Sequence, residues 1–313
     1  MKKWKQKAIV QKTISYLPFS HKINYIFQKY VTRGLNLSAD YFYDRLGHAR
    51  EHIKGFRRYS DKTTPATCLE IGTGWYPVVP VSNFLAGADK IYSVDVTFLL
   101  TKLRLKETLH KFIESYHSGE LKSYLNFLPE RFDIIENIIN SYDKLSVHEI
   151  LEKLNIIYLI EDARKLSLPD NSICLINSNN TFEHIYPEFL IPILKEFRRV
   201  VKKQGGVMSH FIDMSDHFAH FDKSITIYNF LQFSDRQWRY IDNSIQPQNR
   251  LRIYEYKQIY SDLKIPISYE SFREGNLNEL KSIKLADKFA NKPLEEVASS
   301  HCHFISDYTG SIN

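Results

Sequence analysis

The chain has 313 residues, 43% of them hydrophobic and 25% charged, with a net charge of +6. That balance supports a sizeable core and excludes a disordered or low-complexity polypeptide. Three cysteines, Cys68, Cys174 and Cys302, are too few for a disulfide framework. No apolar run has the length of a membrane span or the form of a signal h-region, so a cytoplasmic protein is expected.

The charge is concentrated at one end. Residues 1–39 carry Lys2, Lys3, Lys5, Lys7, Lys12, Lys22, Lys29 and Arg33 and no acid. Removing those eight cations from +6 leaves −2 for the remainder. Trp4, Ile9, Val10, Ile14, Leu17, Phe19, Ile23, Ile26 and Phe27 are interleaved with them. Residues 1–64 therefore read as a basic helical extension. It is either a lid with solvated lysines or a surface that touches an anionic membrane peripherally through residues 1–39.

A strand-like run from Ala66 to Leu69 enters Glu70-Ile-Gly72-Thr73-Gly74-Trp-Tyr76-Pro77. A helix over Pro77–Ala86 and a strand over Lys90–Val94, ending at Asp95, follow. Strand, glycine turn, helix, strand, acid is the layout of a nucleoside-binding βαβ unit. Glycines at 72 and 74 allow a tight turn and close backbone approach to a ligand. Asp95 is placed to accept from both hydroxyls of a ribose. No third glycine clears room for a pyrophosphate, and Glu70 would repel one, whereas an ammonium would be welcome there.

Further along, Asn155–Glu161 reads as a third strand leading to Asp162-Ala163, and Ile173–Asn177 as a fourth leading to Glu183-His184. Glu188–Val201 has the 3–4 spacing of a core-facing helix, and Lys202-Lys-Gln-Gly-Gly206 ends it before a fifth strand over 206–212. Strand-like Ile265–Phe272, a helix around Leu277–Phe289 and a strand Cys302–Ile305 complete the chain.

This order of motifs resembles the class I S-adenosylmethionine-dependent methyltransferases, whose first motif reads [D/E]-x-G-x-G-x-G. Glu70, Gly72 and Gly74 match it, and Tyr76 departs from it where the third glycine usually lies. The resemblance implies an α/β fold, a doubly wound, mostly parallel seven-stranded Rossmann-like sheet. Residues 65–313 would form the methyltransferase domain, with a helical insertion at 98–154 and a substrate-side cap at 214–265. It implies S-adenosylmethionine as cofactor: Glu70, Gly72, Thr73 and Gly74 at the methionine end, Asp95 and Val96 at the ribose, Asp162 and Ala163 at the adenine, and Asn177 at the end of the fourth strand. Ser146-x-x-Glu149 in the insertion is a capping box opening a helix to Leu154.

The segment after the fifth strand is rich in chemistry: His210-Phe-Ile-Asp213-Met-Ser-Asp216-His217-Phe-Ala-His220. Strand C-termini face the ligand crevice in a doubly wound sheet. An acceptor hydroxyl must lose its proton, and histidine does this near neutral pH. His217 and His210 are the first candidates for base and His184 the third, with Asp213 or Asp216 to orient an imidazole. The same cluster can converge on a divalent metal, but the acid pairs of catechol-type enzymes are absent, so no metal ligand is assigned. A structural role is equally open to His184 and is preferred for His220.

Asp213, Asn180, Trp238, Arg250 and Arg252 are the candidates for substrate contact, through stacking and bidentate anion binding; for each of these aromatics and arginines an ordinary structural role is the competing reading. A small-molecule or glycan acceptor, or a lipid-linked one, is expected. Nucleic acid is disfavoured: Asn177–Phe182 contains no proline of the amino-methylating loop, and Cys174 lies inside a strand. A non-catalytic S-adenosylmethionine-binding or partner-binding module is the alternative. Aminopropyl transfer would require more acids around a polyamine than the fourth loop offers.

Overall fold

The computed structural model describes residues 2–17 and 37–308. Helices α1 (Lys3–Ser15) and α2 (Ala39–Tyr59) come first. Then β1 (Thr67–Ile71), α3 (Val78–Leu85) and β2 (Lys90–Asp95) form the βαβ unit anticipated from the glycine turn. Pro77 lies one position outside the helix, as its N-cap. The insertion supplies α4 (Lys102–His117), α5 (Pro129–Asn140) and α6 (Val147–Lys153), and Ser146 with Glu149 forms the expected capping box. Next come β3 (Ile156–Ile160), β4 (Leu175–Asn179), α7 (Pro187–Val200) and β5 (Val207–Asp213). The cap region holds α8 (His217–Phe221) and α9 (Asp235–Ile241), followed by α10 (Ile253–Asp262). β6 (Tyr269–Arg273) and β7 (His301–Asp307) close the sheet.

The seven strands lie in the order β3-β2-β1-β4-β5-β7-β6. β7 is antiparallel to both neighbours and every other pairing is parallel. This is the doubly wound, mostly parallel seven-stranded sheet that the sequence implies. Order reverses between β1 and β4, so their C-terminal ends open onto the crevice where such sheets take ligands.

Successive strand residues point to opposite layers. Cys68, Leu175 and Val207 face the layer holding α2 to α6, while Leu69, Ile176 and Met208 face the layer of α7 and α10. On α7, Leu190, Ile193, Leu194, Phe197 and Val200 are buried, each contributing about 1.5–3 kcal/mol of transfer free energy. A third cluster, joining Trp4, Phe218, Tyr228, Phe230 and Trp238, forms the core of the cap.

Two boundaries differ from expectation for physical reasons. β4 runs two residues further than Asn177, because Asn177, Ser178 and Asn179 find partners inside the sheet: both amides donate to Glu70, and Ser178 pairs with His210. The helix expected over Leu277–Phe289 is two short turns, since the chain straightens at Ala286 to donate its N–H to Leu231.

The basic extension divides in two. In α1, Trp4, Ala8, Gln11 and Ile14 are buried against the cap, Trp4 N–H donates to Asp222, and Lys12 donates to the carbonyls of Arg239 and Asp242. Ile9, Val10 and Leu17 remain exposed. Phe19, Ile23, Ile26 and Phe27 lie outside the described residues. No helix among the described residues is long and apolar enough to cross a membrane.

Candidate active site

The turn after β1 is built around two glycines in the left-handed region, Gly72 (φ 73°) and Gly74 (φ 68°). A Cβ on Gly72 would meet Thr181 Oγ1 at 2.5 Å, so the second loop closes directly on the first. Gly72 N–H donates to Val94 O at 2.9 Å and Gly74 N–H to Asp95 Oδ2 at 3.3 Å. Asp95 Oδ1 accepts from Val96 N–H at 2.8 Å. Burial raises the Asp95 pKa, with these backbone donors opposing it. Each oxygen retains a lone pair for a ribose hydroxyl. The Val96 side chain is exposed and points away from the protein.

Tyr76, at the position of the missing third glycine, does not obstruct the turn through solvent. It is buried against Tyr41 of α2, and Arg104 of α4 lies over its ring and, at 3.9 Å, over that of Trp75. The insertion thus absorbs the departure from the motif.

Glu70 is buried, and burial pushes its carboxyl up to about 7, against the hydrogen bonds it receives. Thr73 Oγ1 donates to Oε2 at 2.7 Å and also pairs with Ser93, while Asn179 Nδ2 donates to Oε1 at 2.9 Å. Asn177 Nδ2 reaches Oε1 at 3.5 Å. From Asn179 the network continues through His52 Nε2 (3.0 Å), from His52 Nδ1 to Ser209 Oγ (2.7 Å), and from Ser209 Oγ to His303 Nε2 (2.8 Å). Burial lowers both imidazoles to about 3, so they are neutral at physiological pH.

Just after β3, Asp162 is exposed and both its oxygens accept from Arg164, whose hydrogen bonds lower the Asp162 pKa. Ala163 is buried. Phe98, an exposed aromatic stacked edge-on with Tyr158, and Ile160 add apolar surface near Asp95 and Asp162.

A second set of groups sits where β4 and β5 end. Asp213, 9% exposed, has three imidazoles around it: His217 Nε2 at 3.4 Å and His220 Nε2 at 3.7 Å from Oδ2, and His301 Nε2 at 3.5 Å from Oδ1. Burial disfavours its charge, but hydrogen bonds and attraction from these imidazoles win and hold it below the usual carboxylate range. His184 Nδ1 donates to Pro247 O at 2.7 Å, which fixes the tautomer and leaves Nε2 as a lone-pair donor. Burial first, and His217 second, lower His184 to about 4. The rings of His184 and His217 are 4.9 Å apart, edge to face. His217 also lines a small pocket with Gln11, Trp238 and Gln248.

The geometry sorts the candidates. His217 and His184 are brought together with Asp213. His210 is not: it sits mid-strand, fully buried, bonded to Ser178 and stacked on Phe182, and burial lowers it to about 3. Arg252, also fully buried, donates to the carbonyls of Met214 and Ser299. Arg250 donates to Phe230 O and Phe233 O and pairs with Asp235. Trp238 is buried, with Nε1 donating to Gln248 O. These three hold the cap together, although Arg252 Nε is left without a hydrogen-bond partner among the described residues and Trp238 lines the pocket beside His217. Asn180 adopts φ 50° and donates its N–H to Phe211 O, so its fixed contribution is to the turn.

Sequence reasoning missed the face of α2 carrying Tyr41, Arg45, His48 and His52, which lies over the crevice. His48 stacks on Phe211 at 3.9 Å, and Phe211 on His303 at 3.8 Å. Their spacing of four, three and four is a helical stripe and was the available signal.

The model of a family described as "Methyltransferase domain" matches residues 131–209, under half of the chain, from α5 through β5. The chain carries a methyltransferase domain. No curated protein matches this methyltransferase. Among solved structures it is similar to the PH0226 protein of Pyrococcus horikoshii (12% identity, 90% of this chain and 97% of that one, TM-score 0.48). It is also similar to geranyl diphosphate C-methyltransferase of Streptomyces coelicolor (9%, 82% and 78%, 0.43) and to the YcgJ protein of Bacillus subtilis (13%, 83% and 97%, 0.39). These are distant similarities.

Proposed function

We propose that this methyltransferase acts on a hydroxyl group of a small-molecule or glycan acceptor, the proton passing to the imidazole cluster around Asp213. The observation that carries the reading is the pairing of Asp213 with His217 and His220 at the C-terminal end of β5, beside the turn that takes the donor. Glu70 and the Gly72–Gly74 turn hold the methionine end, Asp95 the ribose, and Asp162 with Ala163 the adenine side. His217 is 14% exposed and His220 58%, so one is sheltered beside the reacting centre and the other can pass a proton to water.

The acceptor oxygen attacks the methyl carbon, the carbon–sulfur bond breaks with its pair left on sulfur, and the hydroxyl proton goes to imidazole. Asp213 balances the charge that the imidazole gains. Methyl transfer from labelled S-adenosylmethionine to a panel of hydroxylated small molecules and glycans tests this. His217→Ala is expected to lower kcat by about 10²–10⁴-fold, the usual worth of positioned acid–base groups. Transfer to amines or thiols alone, or undiminished turnover by that variant, rejects the hydroxyl reading.

A further inference from the structure

Glu183 has a buried carboxyl that nothing in the donor site uses. It is 2% exposed, and among the described residues no side chain hydrogen-bonds its oxygens; only the backbone N–H groups of Glu183 and Asp213 approach them. His217 Nε2 is buried and faces Asp213 Oδ2 at 3.4 Å.

These groups converge. One donor atom each from Glu183, His184 and His217 lies within 4.8 Å of the others, and so it is for Asp213, His217 and His220. His217 belongs to both sets. The 3.4 Å between His217 Nε2 and Asp213 Oδ2 matches the roughly 3.4 Å between neighbouring ligands of a tetrahedral ion with bonds of about 2.1 Å. His184 is already oriented from behind by Pro247 O, as ligating imidazoles are.

We propose that Glu183, His184 and His217, with Asp213, form a binding site for a first-row divalent cation. Two imidazoles and two carboxylates suit manganese, iron or zinc better than calcium or magnesium. The ion neutralises two neighbouring acids and gives the buried Glu183 oxygens a cationic partner. The site lies at the ends of β4 and β5, on the acceptor side of the donor turn. An ion held there also takes oxygens of the acceptor, which favours acceptors with adjacent hydroxyls or a hydroxyl beside a carboxylate. This last point rests on the hydroxyl reading above and assigns His217 to the ion, leaving His220 to take the proton. The site itself does not rest on that reading.

The test uses the full-length protein after dialysis against a chelator. Mn²⁺ is titrated in, with free ion followed by electron paramagnetic resonance and heat by calorimetry, and Zn²⁺ is added as competitor. One saturable Mn²⁺ per chain, displaced by Zn²⁺ and raising the unfolding midpoint, is expected. Glu183→Gln and His184→Gln should each weaken it by about 10–100-fold or more. Glu183→Gln is isosteric and serves should His217→Ala fail to fold. No saturable ion in the intact protein, or full affinity in Glu183→Gln, overturns the site. S-adenosylmethionine titration of the same samples reports the donor site separately, so a protein that binds donor but no ion rejects only this inference.

Discussion

Asn179 joins Glu70 to His52: its Nδ2 donates to Glu70 Oε1 at 2.9 Å and its Oδ1 lies 3.0 Å from His52 Nε2. One amide therefore ties the first loop of the sheet to the helix that covers it. For Oδ1 to accept, His52 must carry its proton on Nε2, leaving Nδ1 to accept from Ser209. Replacing Asn179 by Leu would strand a buried carboxyl and a buried imidazole together.

The protonation of Glu70 should be visible in the stability of the donor-free protein. Its ordinary pKa of 4.5 is pushed up to about 7 by burial. Between those values the folded chain holds a proton that the unfolded chain has lost. The contribution is therefore fully present below about pH 4.5 and disappears as pH rises through 7. Glu70→Gln is permanently neutral and should gain on the parent over that window, by up to about 3 kcal/mol at pH 8. Chemical denaturation at pH 5 and pH 8 measures it; an unchanged difference between the two proteins would mean that Glu70 stays ionised throughout.

Asp95→Ala should weaken S-adenosylmethionine by about 1.5–3 kcal/mol, the worth of hydrogen bonds to a charged group, or roughly tenfold to a hundredfold. Calorimetry on the purified protein reads this directly. Asp162→Ala should cost less, because Arg164 already occupies both carboxylate oxygens.

Arg252→Met tests the assignment of that residue to the scaffold. Two buried carbonyls, of Met214 and Ser299, lose their donor, and a loss of about 2–4 kcal/mol in unfolding free energy is expected. Donor affinity should not follow it. A variant of normal stability that loses acceptor turnover would return Arg252 to the substrate.

Trp4→Ala should loosen α1 from the cap. The ring lies 5.9 Å from those of Phe218 and Phe233 and is almost wholly buried, so about 3–5 kcal/mol is at stake if the cap unfolds with the rest. Limited proteolysis resolves the two cases: early cleavage at the lysines of α1, with the remainder resistant, would show that the helix detaches alone.

The sheet was legible because it is written in short-range patterns. Gly72 and Gly74, the acid ending β2, the 3–4 stripe of α7 and the capping box at Ser146 each depend on neighbours in sequence. The acceptor side was harder to read. His210 and His217 look alike as letters, and only the fold decides that one, inside β5, faces Phe197 while the other, opening α8, turns back to Asp213. Asn177 to Asn179 read as a loop because their polarity is satisfied by residues about 30 to 130 positions away. Arg250 and Arg252 suggested an anion and instead hold backbone carbonyls, a role that no spacing announces. Glu183 was noticed only as half of a motif, since its lack of a side-chain partner is a property of the packed chain alone.

The place of β7 has a consequence for synthesis. It is the last strand of the sheet to leave the ribosome, yet it lies between β5 and β6, bonded to both. Until it arrives, β5 has an open edge, and neither His301 nor His303 is present to meet Asp213 or Ser209. A nascent chain can assemble β1 to β5 but must wait with that edge bare, a state in which chaperones would find it. The final strand thus makes completion of the imidazole cluster coincide with completion of translation of the sheet.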